Sequence, residues 1–91
     1  TYYGPDAKVK DSLIADGCVI EGSVENSILF RGVKVGRDTV VMNSILFQDT
    51  FTGENVTLQY VVTDKNVVVR DGVSISGHLT MPVYIDKGKM L

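Results

Sequence analysis

The sequence predicts an all-β chain, wound into a parallel hexapeptide-repeat β-helix of about four coils. Three observations carry that prediction. The string Asn26-Ser27-Ile28-Leu29-Phe30 returns intact as Asn43-Ser44-Ile45-Leu46-Phe47, seventeen positions later in a chain of 91 residues. Aliphatic or β-branched residues recur every six positions, as in Leu29, Val35, Val41 and again in Leu46, Thr52, Leu58. The residue supply is Val, Ile, Thr and Phe punctuated by Gly, Asp and Asn, which suits short strands joined by turns.

A period of six fits neither the 3.6 of an amphipathic helix nor the 2 of a half-buried strand. It fits a triangular coil. Three short strands form the sides, and the corners turn through small or left-handed-tolerant residues such as Gly36, Gly53, Gly72 and Asn55. Successive coils stack in parallel at about 4.8 Å, each bonded only to its neighbours. Missing a repeat of this kind would mis-assign the whole fold.

Taken in order, residues 1–10 read as an entry segment, with turn chemistry at Gly4-Pro5-Asp6. Tyr2 and Tyr3 need a surface to pack on and are expected to cover one end of the stack. Residues 11–77 form the β-helix. Its Ser-aliphatic-aliphatic strand appears in Asp11-Ser12-Leu13-Ile14-Ala15, in the two identical copies, and in Gln59-Tyr60-Val61-Val62-Thr63, at spacings of 15, 17 and 16. A second unit starts at Val35, Thr52 and Val69. Cys18, Val33, Thr39, Val56 and Val73 are the small or β-branched residues expected to fill corners. The shortest coil lacks residues around Glu21-Gly22-Ser23, so one corner there must be tighter. Residues 78–91 are expected as a capping tail, in which Pro82 cannot donate to a ladder and so suits a closing edge.

Composition bounds what the chain does. Hydrophobic residues are 44% and charged residues 22%, ordinary for one globular domain with a modest core. A net charge of −2, with Lys34, Arg37, Lys65 and Arg70 scattered, gives no reason to expect nucleic acid or an anionic membrane as partner. The single cysteine allows no internal disulfide and points to a reducing compartment, the cytoplasm. No apolar run approaches the roughly 20 residues of a membrane helix. The first residues lack the pattern of a secretory signal. They also lack an initiator Met, so the chain reads as a piece of a longer polypeptide.

The run from Ser12 through Asp16-Gly17-Cys18-Val19-Ile20-Glu21-Gly22 to Asn26-Ser27-Ile28-Leu29-Phe30-Arg31-Gly32-Val33, with Asp64-Lys65-Asn66-Val67 and Gly72, resembles the C-terminal domain of bacterial glucose-1-phosphate adenylyltransferase (ADP-glucose pyrophosphorylase). The resemblance covers roughly residues 5–77 and implies a left-handed β-helix, an exception to the usual right-handed crossover. Val24 to Gly36 and the ending Pro82-Val83-Tyr84-Ile85-Asp86-Lys87-Gly88 look more like the D-type companion subunit, a regulatory glycogen-biosynthesis protein.

The resemblance also implies partners. Nucleotidyl transfer from ATP to glucose 1-phosphate belongs to an N-terminal nucleotide-binding domain with its magnesium ion, and no cofactor is expected in these 91 residues. Their implied role is subunit association, as a homo-oligomer or a hetero-oligomer with a catalytic subunit, together with a share in an effector site. Catalytic relatives open one coil of that site with an arginine pair. Gln59-Tyr60 replace that pair here, which leaves Lys65 as the candidate effector-binding residue.

Other candidates have plainer readings. His78 is the only histidine and would be the base of a hexapeptide acyltransferase, the alternative function, in which a trimer binds CoA between coils. It has no acidic neighbour in sequence, and a surface loop is the simpler account. Zinc chemistry on this scaffold needs several imidazoles. Cys18 at a corner behaves as a small hydrophobe. Asp16, Asp38 and Asp71 suit turns better than calcium. Phe30, Phe47, Phe51 and Tyr60 suit stacking between coils, or packing against another domain, better than a pocket. Related sugar-nucleotide transferases with other nucleotides or sugars share such a domain and stay open.

Overall fold

The computed structural model describes all residues from Thr1 to Leu91. Fifteen strands of two or three residues, and no helix, sort into three parallel five-stranded sheets. Face A stacks β1 (Tyr2–Tyr3), β4 (Val19–Ile20), β7 (Lys34–Val35), β10 (Phe51–Thr52) and β13 (Val68–Val69). Face B stacks β2 (Lys8–Lys10), β5 (Ser23–Glu25), β8 (Val40–Met42), β11 (Thr57–Gln59) and β14 (Ser74–Ser76). Face C stacks β3 (Leu13–Ile14), β6 (Ile28–Leu29), β9 (Ile45–Leu46), β12 (Val61–Thr63) and β15 (Val83–Ile85). The chain runs A, B, C and then returns to A one layer up. About four turns thus separate the first strand of a face from the fifth. The entry segment supplies β1 and β2, so Tyr2 and Tyr3 form the first rung of face A instead of lying across the open end.

Register shows how the repeat length is set. Face A partners lie 17, 15, 17 and 17 residues apart. The short interval has one cause. Only Glu21 and Gly22 join β4 to β5, whereas four residues join β7 to β8 and β10 to β11. The spacing of 16 read from Gln59 is corrected to 17, because Val62 pairs with Ile45 and Thr63 with Leu46. Tyr60, not Gln59, therefore occupies the corner of Asn26 and Asn43, and its φ of 54° matches their 50° and 51°. On face C the last interval stretches to 22 between Val62 and Tyr84, because residues 77–82 leave the coil as a turn before β15.

The six-residue series point inward as the pattern demands. Leu29, Val35, Val41, Leu46, Thr52 and Leu58 are all buried, and so are the corner residues Cys18, Val33, Thr39 and Val56. Val73 is only partly buried, since no complete coil follows to cover it. Four threonines are fully enclosed and each hydroxyl has a partner. Thr50 and Thr63 share a 2.9 Å bond, Thr39 donates to the Gly53 carbonyl at 2.7 Å, and Thr52 donates to the Lys34 carbonyl at 3.3 Å. No buried polar side-chain atom is left unpaired.

Between faces B and C the corner of the first three coils takes only two residues, and there the serine of the repeat does backbone work. Ser12 donates to the Lys10 carbonyl (2.9 Å) and accepts from the Ser27 N–H (3.1 Å). Ser27 donates to the Glu25 carbonyl (2.8 Å) and accepts from the Ser44 N–H (3.1 Å). Ser44 donates to the Met42 carbonyl (2.8 Å) and accepts from the Val61 N–H (3.2 Å). The hydroxyls carry the inter-coil ladder round a bend that backbone groups alone do not span. The preceding residue of each unit (Asp11, Asn26, Asn43) is left-handed, a conformation that Asp and Asn tolerate.

Glycine serves two ends. Gly72 is left-handed at φ 77°. Gly36 and Gly53 are the small corner residues rather than left-handed ones; a Cβ on Gly36 would strike the Gly53 carbonyl, and one on Gly53 the Asp71 carboxylate. Close approach of the next coil is what excludes a side chain there. At the far end, Met90 bridges Val68 on face A and Leu91 packs against the core.

Two substitutions separate these causes. Gly22→Ala would push a Cβ against the Thr39 carbonyl in the tightened corner. It should cost about 1–3 kcal/mol in urea unfolding, more than the roughly 1 kcal/mol of Gly72→Ala, where only backbone strain acts. Ser44→Ala should cost about 1–3 kcal/mol by orphaning the buried Val61 N–H. A loss no larger than that of the exposed Ser76→Ala would refute the hydroxyl ladder.

Candidate functional site

Lys65 sits on the edge where face C turns into face A. Successive turns are stacked there by single backbone bonds: the Gly32 N–H to the Asp16 carbonyl, Asp49 to Arg31, Asn66 to Gln48, and Gly88 to Lys65. The tips of the edge thus read Asp16, Arg31, Gln48, Lys65, Lys87 in ascending order. The next position holds Gly17, Gly32, Asp49, Asn66 and Gly88, every one left-handed. Only glycine, Asp and Asn take that conformation at low cost, so the sequence places this turn in every coil. Three cations, Arg31, Lys65 and Lys87, project from one solvated edge.

Asp64 organises the upper part of this edge. Its carboxylate accepts from the Lys65 backbone N–H (2.7 Å) and from the Tyr84 hydroxyl (2.8 Å). The Lys65 N–H bond, then the Tyr84 bond, hold the Asp64 pKa below its ordinary value, with Lys65 and Lys87 adding to the effect. The same contact raises the Tyr84 pKa, since losing the phenolic proton would break the bond and set two negative charges together. Tyr84 belongs to β15, so the pair clips the last strand to the coil below it.

The remaining candidates are dispersed. Tyr60 lines a shallow groove at the other end of β12 from Lys65, together with Asn26, Asn43, Ile45, Leu79 and Pro82. Position Gln59-Tyr60 and Lys65 therefore do not converge on one site. Phe30 and Phe47 stack with centroids 4.6 Å apart and planes 14° from parallel. Phe51 stands away from them on face A, with the Lys34 ammonium 5.3 Å from its ring centre. Cys18 is buried, its thiol donating to the Phe30 carbonyl at 3.1 Å. His78 is exposed on the turn after β14, tied by its backbone to Met81. Asp71 caps a turn by accepting from the Glu54 N–H, and Arg37 pairs with Glu54 at 3.0 Å across the A–B edge. No three His, Cys, Asp or Glu side chains gather closely enough to hold a metal ion among them.

Two features of the edge went unread in the sequence. Arg31 and Lys65 stand two coils apart in the same column, a spacing of twice seventeen that was there to be found. Lys87 and the Asp64–Tyr84 clip follow the 22-residue interval, which no period signals.

The repeated coils agree with what comparison with known proteins finds. Residues 3–80 match the family model described as GlmU-like, C-terminal hexapeptide. The chain belongs to that family. Among curated relatives of this hexapeptide-family chain, the glycogen biosynthesis protein GlgD of Bacillus subtilis (strain 168) is 44% identical over 88 residues, covering 97% of this chain and 26% of the relative. Glucose-1-phosphate adenylyltransferases of Bacillus thuringiensis (strain Al Hakam) and Bacillus anthracis are each 39% identical over 74 residues, 81% of this chain and 20% of the relative. The chain thus spans a fifth to a quarter of the length of these relatives.

The clip sets a pH dependence. A depressed carboxylate pKa stabilises the fold above the ordinary Asp value and loses that contribution as pH falls through the folded value; a raised tyrosine pKa stabilises it below the ordinary value near 10 and loses it as pH rises. β15 should therefore be held best from about pH 5 to pH 9. Tyr84→Phe should speed hydrogen exchange at the Val83 N–H several-fold at pH 7, and wild type should approach the mutant rate, corrected for intrinsic exchange, as pH falls below the ordinary Asp range. Unchanged protection in Tyr84→Phe would rule the clip out.

Proposed function

We propose that this chain is the β-helix part of a glycogen-biosynthesis subunit of the glucose-1-phosphate adenylyltransferase type, of the regulatory D-type. One observation carries the reading: the similarity to the Bacillus subtilis GlgD covers 97% of the chain, and so includes β15 and most of the tail. The adenylyltransferase matches cover less, 81%.

In this reading the domain associates subunits and relays effector state in the cytoplasm. ATP, glucose 1-phosphate and magnesium are handled by a nucleotide-binding domain elsewhere in the longer subunit. A stack that contacts only its own neighbouring coils is a stiff spacer with three sides, suited to holding other domains in fixed relation. Lys65, flanked on its edge by Arg31 and Lys87, is the point where an anionic effector would act. Exposed cations of this kind bind weakly unless another surface closes over them, so the effector site is completed by a neighbouring domain or subunit.

The 91 residues alone should show no conversion of ATP and glucose 1-phosphate to ADP-glucose. The complete subunit should co-elute with a catalytic adenylyltransferase subunit, and Lys65→Glu in that assembly should weaken activation by sugar-phosphate effectors several-fold. Turnover by the isolated 91 residues, or failure of the complete subunit to associate, would sink the reading.

A further inference from the structure

The tail supplies the last rung of face A. The outward column of that face runs Tyr2, Val19, Lys34, Phe51 and Val68 in register, and Met90 bridges onto Val68 as the next member. Three backbone bonds seat this rung: the Val68 N–H to the Lys89 carbonyl (2.9 Å), Leu91 to Val68 (2.8 Å) and Arg70 to Leu91 (3.0 Å). One side-chain bond joins them. The Arg70 guanidinium donates through Nη2 to the Met90 thioether sulfur at 2.8 Å. Of the three methionines, only Met90 has a sulfur that accepts a hydrogen bond. Its side chain is also 58% exposed, so small solutes reach it.

We propose that Met90 is a reversible oxidation site whose sulfoxide is held by Arg70, so that peroxide tightens the tail instead of releasing it. A thioether sulfur is only a weak acceptor. The cationic donor beside it is therefore poorly matched until oxidation supplies a better one. A sulfur lone pair attacks one oxygen of a hydroperoxide, and the S–O bond forms as the O–O bond breaks. The proton on the transferred oxygen passes to the leaving oxygen. The sulfur loses two electrons, and the peroxide is reduced to water or an alcohol. A bond from guanidinium to the new oxygen is charge-assisted, roughly twice as strong as one between neutral groups. The rotatable bonds of methionine let that oxygen swing toward Nη2.

Methionine oxidation does damage when it puts a polar sulfoxide into an apolar core. Met90 escapes that cost, because its side chain stands on the outer surface while Leu91 makes the apolar contact with the core. Sulfoxide reductases remove the oxygen again, which makes the latch reversible. Met81 is more exposed, at 77%, but no donor reaches its sulfur, and the same oxygen would secure nothing there.

Met42→Leu and Met81→Leu together leave Met90 as the only thioether in the 91-residue chain. Dilute hydrogen peroxide then adds one oxygen, located by peptide mass, and an unmodified Cys18 confirms that the fold is intact. Hydrogen exchange is followed at the Leu91 N–H and at the N–H of residue 70, both bonded within the last rung. Oxidation should slow exchange at these amides roughly threefold or more, and sulfoxide reductase should restore the original rates. Met90→Gln, whose amide oxygen stands in for the sulfoxide, should show the slowing without peroxide. With Arg70→Gln added, oxidation should slow neither amide. Unchanged or faster exchange on oxidation while Arg70 is present would overturn the proposal. Equal slowing in the Arg70→Gln protein would overturn it as well, since the guanidinium would then play no part.

Discussion

A coil closes only when its last strand lands one strand-spacing above its first, so that each N–H reaches the carbonyl over it. Nearly everything in this chain follows from that closure condition. Seventeen residues meet it with two four-residue corners and one two-residue corner. At the small corner one N–H per coil finds no carbonyl over it, and a serine hydroxyl takes that place. The coil of 15 residues meets the same condition by giving up two residues at one corner, where only glycine fits at position 22. Since closure is enforced by backbone bonds, the outward side chains are free to differ. The three faces therefore share one framework and present unlike surfaces.

That division explains how much was legible in the sequence. The inward series from Leu29 to Leu58 was plain because burial tolerates few residue types, and a pattern of few types is easy to see. The tightened corner at Glu21-Gly22 was legible as missing residues. The fourth strand was misplaced by one position, because Tyr60 occupies a left-handed corner that Asn fills twice before it. An aromatic residue there breaks the visual repeat while the backbone repeat continues. Gly36 and Gly53 were legible as corner residues, but not which need fixed them, since a glycine needed for space looks in sequence like one needed for its torsion angle.

Function was legible to a different degree. Nothing in the period points to Lys65; it came from resemblance, and the fold sets it on an edge with Arg31 and Lys87. The three belong to separate coils, and only the stacking of turns brings them together. A chain of short-range coils can assemble such a column without any local motif. A window that sees one coil at a time misses it, and only carrying the seventeen-residue period across two coils relates Arg31 to Lys65. The Asp64–Tyr84 contact is of the same kind, spanning the irregular interval that carries the chain out to Leu79 and back.

Irregular coil lengths have a further consequence, for how the chain finds its register. Two copies of Asn-Ser-Ile-Leu-Phe are interchangeable as pairing partners, and a chain of uniform coils could zip up one layer out of place with every inward residue still inward. Such slipped pairings are the characteristic traps of repetitive β-structures. The 15-residue coil acts as a dislocation in an otherwise uniform lattice. A strand stack displaced by one layer would meet the shortened corner with a four-residue loop and lose the bonds around Gly22. The defect in the repeat thus serves as a molecular index mark, leaving one alignment in which all rungs can pair.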